Sequence, residues 1–302
     1  MQVFLIPGNY LCRHTDLRDI FPGRKTHRKV SALMMQTGER KMDRKIICFD
    51  LDNTLLDHRT MKVPESSLRA LDALRKKGSI IVLATGRDMD NYYSRQYLEI
   101  VRPDARIEQN GSKVLADGKL LYEHFIDKRL LRRMMDYAAE NEVGLGITIG
   151  DEDIYVNPKV VEAAEIRRWG ECGRHFRDPE RLMELDIRTV AFIGTDAQAR
   201  AMEQVFPEVS LRMFSIDYGA DVIEKGFSKA EGLKRLLRHY GVDPKDTVAF
   251  GDSLNDLEIL KECALGIAMG NGREELKKAA DYVTDPIGED GIWNACRNFG
   301  LI

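Results

Sequence analysis

Four short apolar runs stand out along the chain, at residues 45–49, 79–84, 247–250 and 265–269. Their residues do not alternate between apolar and polar types, as they would in a strand with one face in water. Continuous apolar runs of this length are typical of central strands in a parallel sheet that is covered on both faces. We therefore predict four buried strands, each followed at its carboxyl end by polar residues.

Segments with helical spacing follow or lie between these runs. Residues 64–77 and 229–240 carry leucines along one face and are followed directly by a glycine, which is a common helix stop. Shorter helices are predicted at residues 255–261 and 274–280. The alternation of strands and helices predicts an α/β fold with a doubly wound, Rossmann-like parallel sheet.

The middle of the chain has a different pattern, which predicts an inserted α+β domain at residues 126–216. An insertion of this length can own a hydrophobic core, and the flanking segments 43–125 and 217–302 would form the main domain. Within the insertion we predict three helices, at residues 127–140, 158–168 and 196–206. We also predict three main strands, at residues 145–149, 154–156 and 187–193, with further short strands to about residue 216.

Residues 1–42 are rich in Arg and Lys and show no sustained periodicity. We predict that they are a disordered or non-native extension. The segment 38–41 can be encoded by a purine-rich stretch of the kind that a ribosome-binding site needs, directly before Met42. We therefore hypothesise that Met42 is the native start.

The composition narrows the range of partners. The 302 residues are 43% hydrophobic and carry a formal net charge of −3, which does not suggest a nucleic-acid or anionic membrane surface. No apolar run approaches a membrane span. The five cysteines are scattered without a CxxC pair, so a disulfide framework is not expected. We predict a cytoplasmic protein, a monomer or weak homodimer, acting on a small molecule without nucleic-acid or membrane partners.

Carboxylates cluster at the predicted strand ends. Asp50 and Asp52 follow the first run, and Asp252 and Asp256 follow the third. Carboxylates that converge repel each other unless a cation neutralises them, and a site of oxygen ligands alone favours magnesium over zinc. Lys229, at a predicted helix start, would add a fixed positive charge. Such a site suits phosphoryl transfer, with one carboxylate attacking phosphorus. The six histidines form no metal-binding pattern, so we predict surface or packing roles for them.

At these residues the chain resembles the haloacid dehalogenase-like hydrolase superfamily, in its Cof-type phosphatase branch. The resemblance covers about residues 44–302 and rests on four motifs in order: DxDxT at 50–54, Ala-Thr-Gly-Arg at 84–87, a lysine at 229 and GDxxND at 251–256. It implies that Asp50 is the nucleophile and a metal ligand. It also implies that Asp52 is the acid/base, with its backbone carbonyl on the metal.

The same resemblance assigns the remaining site residues. Thr85 and Lys229 would complete the catalytic group, and Asp252 and Asp256 would bind or support Mg²⁺. Contacts to the substrate and its phosphate would come from the following residues: Leu51, Gly86, Arg87, Asn110, Asn255 and Asn271.

The motif spacing defines the type of enzyme further. Too few residues separate Asp50 from Thr85 for a domain, so the insertion lies between Thr85 and Lys229, as in the family's type IIB cap. A cap over the site excludes water and reads the leaving group, and we expect the turn at 151–157 to face the site. Asp52 argues against carbon–halogen chemistry, which has no use for a leaving-group acid at this position.

These observations predict a magnesium-dependent phosphatase that hydrolyses a small phosphate monoester, such as a sugar phosphate, a phosphorylated cofactor or a nucleotide. A hexose phosphomutase with a similar cap is the nearest alternative. A ligand-binding module without turnover is a third. The sequence also leaves open that Lys225, rather than Lys229, reaches the phosphate.

Overall fold

The protein is described by a computed structural model over residues 44–150, 152–214 and 218–302. The predicted extension at 1–42, with the hypothesised start at Met42, lies outside these residues. The described residues form two sheets with helices packed against them. The helices are α1 Glu65–Lys76, α2 Gln96–Val101, α3 Lys128–Glu140, α4 Pro158–Trp169, α5 Asp196–Val205, α6 Lys229–Tyr240, α7 Leu257–Glu262, α8 Glu274–Ala279 and α9 Gly291–Asn298.

The larger sheet has eight strands in the order β14-β13-β12-β1-β2-β3-β4-β5. The strands from β14 to β3 pair in parallel, and β4 and β5 extend the sheet as antiparallel strands. Their bounds are β1 Ile46–Phe49, β2 Ile80–Ala84, β3 Ala105–Glu108, β4 Lys113–Ala116, β5 Lys119–Glu123, β12 Thr247–Gly251, β13 Leu265–Ala268 and β14 Tyr282–Val283. The predicted doubly wound parallel sheet is confirmed, and all four predicted strands belong to it.

Strand β1 shows why the apolar runs are continuous. Successive side chains of a strand point to opposite faces. Ile47 and Phe49 enter the core on one face of the sheet, whereas Ile46 and Cys48 enter the core on the other. Because both faces are covered, no position in this strand tolerates a polar residue, and the first carboxylate appears only where the strand ends.

The smaller sheet has six strands in the order β10-β11-β9-β6-β7-β8 and forms the inserted cap. Its strands are β6 Gly144–Ile149, β7 Glu152–Val156, β8 Phe176–Arg177, β9 Val190–Ile193, β10 Val209–Met213 and β11 Ala220–Glu224. The three predicted helices of the insertion are present, as α3, α4 and α5. The predicted strand at 187–193 is shorter than expected, since the carbonyl of Ile187 accepts a hydrogen bond from Ile126 instead of joining the sheet.

The boundary predicted at residue 216 is too early, because β11 pairs with both β9 and β10 in the cap sheet. One face of this sheet packs on a core of its own that includes Val190, Phe192 and Val222. The opposite face looks into a cavity. The alternation along β9 therefore separates Val190 and Phe192, which are buried, from Ala191, which lines the cavity.

Within the described residues, no helix combines the length and the apolar composition that crossing a membrane requires. Four cysteines fall within the same residues, and all four are free thiols: Cys48, Cys172, Cys263 and Cys296.

Candidate active site

The carboxyl ends of β1 and β12 meet at one edge of the large sheet. These two strands are parallel neighbours, so the residues that follow them, Asp50 and Asp252, are brought side by side. Asp256 joins them from the turn before α7. One carboxylate oxygen of each of the three residues lies within 4.8 Å of the others, and all three residues are buried. The chain passes from β1 to β2 on one side and from β12 to β13 on the other side. The edge between β1 and β12 is therefore a topological switch point, where ligands bind in open α/β sheets.

Lys229 neutralises part of this negative charge. It is the first residue of α6, which begins where the Ser228 hydroxyl accepts from the backbone N–H of Glu231. Its ammonium donates to Asp50 Oδ1 and to Asp256 Oδ1, both at 2.6 Å, and the side chain has no solvent exposure. Burial opposes its charge, but the two carboxylates outweigh burial and raise the pKa of Lys229. Lys225, the alternative, is exposed.

The cluster retains an excess of negative charge after this pairing. Burial raises the pKa of Asp252 well above its usual range, and the nearby Asp50 and Asp256 raise it further. Burial also raises the pKa of Asp50, against the opposing effect of Lys229. Asp252 Oδ2 is buried with no hydrogen-bond partner. An unpartnered buried carboxylate oxygen beside two further carboxylates fits a hard divalent cation such as Mg²⁺.

Asp256 has a structural duty in the same cluster. Its Oδ2 accepts the backbone N–H groups of Asp252 at 3.0 Å and of Ser253 at 3.1 Å. These bonds turn residues 254–256 into a 3₁₀ turn, so α7 begins at Leu257 and not at the predicted residue 255. The arrangement fits the supporting role that the sequence predicts for this carboxylate.

The Asp52 side chain lies apart from the cluster and contacts two basic residues. Arg87 donates to both of its carboxylate oxygens, from Nε at 2.8 Å and from Nη2 at 2.6 Å. His58 Nε2 lies 2.5 Å from Asp52 Oδ1. Burial alone would raise the pKa of Asp52, but Arg87 and His58 outweigh it and hold the pKa well below its usual range. His58, one of the histidines for which surface or packing roles are predicted, contacts Asp52 because the loop after β1 folds back onto it.

The end of β2 supplies the opposite wall. Thr85 is fully buried, and its hydroxyl accepts the backbone N–H of Arg87 at 3.1 Å. Asn110, in a left-handed conformation, accepts from Asn255 Nδ2 at 3.0 Å through its side-chain oxygen. The backbone N–H of Asn110 donates to the carbonyl of Thr85 at 3.1 Å, so Asn110 connects the second motif to the fourth.

Asp221 is a site residue that the sequence analysis missed. It lies on β11 of the cap and accepts a hydrogen bond from Asn110 Nδ2 at 2.8 Å. A Cβ on Gly86 would lie 2.4 Å from Asp221 Oδ2, so only glycine permits this approach. Burial raises the pKa of Asp221. The alternation of Ala220 and Val222, both in the cap core, places Asp221 on the cavity face, a signal available once β11 is recognised as a strand.

Three predicted phosphate contacts, Leu51, Asn110 and Asn271, do not line the cavity. The Leu51 side chain is part of the hydrophobic core, which leaves only its main chain near the site. Asn271 donates to the backbone carbonyl of Asn53 at 2.8 Å and accepts from the N–H of Ile287 at 2.8 Å. Both groups of its side-chain amide therefore bond to the main chain, which fixes the loop that follows Asp52.

The cavity between the two sheets has a volume of about 630 Å³. Its floor includes Asp50, Asp52, Arg87, Asp252 and Asn255. Its cap wall includes Gly146, Thr148, Thr189, Ala191 and Arg168. Of the predicted turn at 151–157, Asp151 lies outside the described residues and Tyr155 lines the cavity. Asn157 instead donates to the main chain at Ala138 and Val143, away from the site.

A buried carboxylate cluster with a paired lysine, at the switch point of a capped parallel sheet, defines a hydrolase of the phosphoryl-transfer type. The family model for haloacid dehalogenase-like hydrolases matches residues 47–296. The chain belongs to this family, and the predicted resemblance is confirmed.

Individual relatives agree with this assignment. YkrA of Bacillus subtilis (strain 168) is 31% identical over 271 residues, which are 86% of this chain and 100% of YkrA. YcsE of the same organism, a 5-amino-6-(5-phospho-D-ribitylamino)uracil phosphatase, is 27% identical and covers 88% of this chain and 100% of its own.

Solved structures give the same picture. The subclass IIB sugar phosphatase BT4131 superimposes with a TM-score of 0.77 at 28% identity, over 85% of this chain and 100% of its own. The phosphatase BT1666 from Bacteroides thetaiotaomicron has a TM-score of 0.77 at 27% identity, over 89% and 99%. Together these relatives support the predicted enzyme class, a hydrolase of phosphoric monoesters.

Proposed function

We propose that the protein is a magnesium-dependent phosphatase that cleaves small phosphate monoesters through a phosphoryl group carried on Asp50. The observation that carries this proposal is the buried carboxylate cluster, in which Lys229 bridges Asp50 and Asp256 while one oxygen of Asp252 is left without a partner. No purely structural role requires three carboxylates in one buried place, because each raises the cost of ionising the others.

The residues that would hold Mg²⁺ are Asp50, Asp252 and the backbone carbonyl of Asp52, with Asp256 as support. When bound, the ion would offset negative charge on the oxygens of the transferred group. Lys229 contributes a second positive charge next to Asp50. Its ammonium is held there by the two 2.6 Å hydrogen bonds to Asp50 and Asp256.

In the first step Asp50 attacks phosphorus and the bond from phosphorus to the leaving oxygen breaks. Asp52 supplies the proton that the leaving oxygen takes up. Arg87 now holds Asp52 as a carboxylate. We therefore expect Arg87 to turn from Asp52 to the bound phosphoryl group, which frees Asp52 to carry a proton.

In the second step water attacks phosphorus and the bond to Asp50 breaks. Asp52 accepts the proton from this water, which restores the proton needed for the next leaving group. Each turnover thus consumes one ester and one water and yields an alcohol and inorganic phosphate. The cap sheet covers the cavity during both steps and excludes other water.

The substrate class follows from the cavity and from the relatives. A volume of about 630 Å³ accommodates a metabolite larger than phosphate alone. The relatives include a sugar phosphatase and a phosphatase for a phosphoribitylamino-uracil, so phosphorylated sugars, sugar alcohols and their heterocyclic derivatives are the first compounds to test.

The test is a screen of phosphate esters with Mg²⁺, in which released phosphate is measured for the parent and for Asp50→Asn. We expect release by the parent alone, and its loss when the metal is chelated. Absence of release from every ester, or release that survives both changes, would contradict the proposal. Interconversion of hexose phosphates without release of phosphate would favour a phosphomutase.

A further inference from the structure

A histidine, His58, connects the acid/base residue Asp52 to the cap. His58 Nε2 lies 2.5 Å from Asp52 Oδ1, and His58 Nδ1 lies 2.9 Å from Nη2 of Arg168. Arg168 is in the last turn of α4, which belongs to the cap, whereas His58 follows β1 in the main domain. The contacts form a continuous chain from the cap to the residue that handles the proton.

The chemistry of the partners defines the direction of these hydrogen bonds. A guanidinium group has donors and no acceptor, so the imidazole nitrogen facing Arg168 must accept. His58 Nδ1 therefore carries no proton, and His58 Nε2 carries the proton and donates to Asp52. In this way Arg168 selects one tautomer of His58, and that tautomer is the one that can bind a carboxylate.

The importance of this chain increases when substrate binds. Arg87 and His58 both hold the Asp52 carboxylate, but Arg87 is the residue expected to turn toward a phosphoryl group. Of these two residues, His58 is then the one that still contacts Asp52. Its orientation depends on Arg168, and the Arg168–His58 contact exists only when the cap lies over the site.

We propose that His58 and Arg168 are positioning residues that orient Asp52 for proton transfer to the leaving oxygen when the cap is in place. Neither residue needs to touch the reacting atoms. Arg168 orients His58, and His58 orients Asp52. This inference rests on the proposed phosphatase function and extends it, because it names the residues through which the cap acts on the acid/base residue.

Leaving groups of different acidity test this role directly. A 4-nitrophenolate leaves without a proton, whereas an alkoxide needs one, so transfer of the phosphoryl group to Asp50 depends on a well-placed Asp52 only for the alkyl ester. We expect His58→Ala and Arg168→Ala to lower kcat for the best alkyl ester of the screen by about 10- to 100-fold, as small misplacements of catalytic groups do. The first-turnover release of 4-nitrophenolate from 4-nitrophenyl phosphate, which precedes the attack of water, should change by less than about threefold.

Conservative and matched variants separate positioning from general damage. Gln at position 58 offers a donor and an acceptor on one side chain, so His58→Gln should retain more alkyl-ester activity than His58→Ala. Arg168→Lys should likewise retain more than Arg168→Ala. Arg167, the preceding residue, stacks on Tyr218, and Arg167→Ala should behave as the parent. Since both residues act through one chain, the double variant should be no slower than His58→Ala.

The outcomes are distinct. If the parent hydrolyses both esters and the variants lose alkyl-ester turnover and first-turnover release of 4-nitrophenolate equally, or only raise KM, the residues bind substrate or stabilise the fold and the inference is wrong. The inference is equally wrong if His58→Ala slows the alkyl ester further in an Asp52→Asn background. If the parent releases phosphate from no ester, the proposed function fails, and this inference fails with it.

Discussion

The carboxylate cluster in the main domain and the cavity face of the cap are built differently. In the cluster, Asp50, Asp252, Asp256 and Lys229 are buried. Lys229 pairs with Asp50 and Asp256, and Asp256 also accepts the backbone N–H of Asp252. On the cap face, residues such as Ala191 come from alternate positions of strands whose other side chains form the cap core. The first region is committed to one chemistry, whereas the second can change residue by residue without disturbing either core.

The difference suggests that reaction and specificity are separable in this protein. A substitution in the cluster should affect every ester, because in the proposed mechanism every ester passes through the same phosphoryl transfer. A substitution on the cap face should affect esters unequally, because only the leaving group meets that surface. His58 and Arg168 are the exception that we propose, since they connect the two regions.

The largest effect is expected for Asp50→Asn, which should abolish turnover of all esters. The amide can still accept from Lys229, and the change removes a buried negative charge, so the melting temperature should not fall. Asp57→Asn is a matched control, because Asp57 is also buried and follows the same strand but is held by Arg59. Phosphate release and thermal melts measure both. Equal loss in the two variants would contradict the special role of Asp50.

Lys229→Met should reduce activity and stability together. The change leaves Asp50 and Asp256 buried without their partner, and breaking a buried pair in this way typically costs about 3–5 kcal/mol of unfolding free energy. Lys225→Met is the control, since this exposed residue should change the unfolding free energy by less than about 0.5 kcal/mol. Urea denaturation gives both values. If Lys225→Met lowers activity and the unfolding free energy more than Lys229→Met does, Lys225 is the functional lysine.

Magnesium should stabilise the protein more at about pH 8 than at about pH 5. The pKa values of Asp50 and Asp252 are raised in the fold, so the folded state holds protons more tightly than the unfolded chain. The stability that this provides to the metal-free protein is present below the unfolded pKa of about 4 and is lost as the pH rises through the raised values. Melts with and without Mg²⁺ at both pH values should show the larger shift at the higher pH.

The smallest effect is expected for Thr189→Val on the cap face. The change keeps the shape and removes a hydroxyl that lines the cavity, and one such hydrogen bond contributes about 0.5–1.5 kcal/mol. Relative rates across a panel of sugar and nucleoside phosphates should therefore shift by up to roughly tenfold. The rate with 4-nitrophenyl phosphate should be unchanged. A uniform loss of rate across all esters would contradict the proposed separation of reaction and specificity between the two regions.

The same difference explains which residues could be predicted from sequence. Asp50, Thr85 and Asp252 follow continuous apolar runs, and parallel strands bring their ends together without further information. Lys229 was accessible because its helix has clear start and stop signals. The placement of these side chains follows from local pattern and sheet topology alone.

The remaining site residues depend on contacts that no local pattern encodes. Asp221 was missed because its strand was not recognised, and the cap was therefore ended too early. His58 was missed because its position depends on a loop folding back to Asp52 and on Arg168 of the cap. Asn271 follows a strand, as predicted, but its side-chain amide forms hydrogen bonds with the main chain of two loops.

The central claim is that Asp50 carries the phosphoryl group, and acid-quenched mass spectrometry tests it most directly. Asp52→Asn should slow the attack of water while 4-nitrophenyl phosphate still phosphorylates the enzyme. We expect the peptide of residues 46–59 to gain the mass of one phosphoryl group, with fragmentation locating it on Asp50. Rapid release of 4-nitrophenolate without any modified peptide, or a phosphoryl group on another residue, would contradict the account.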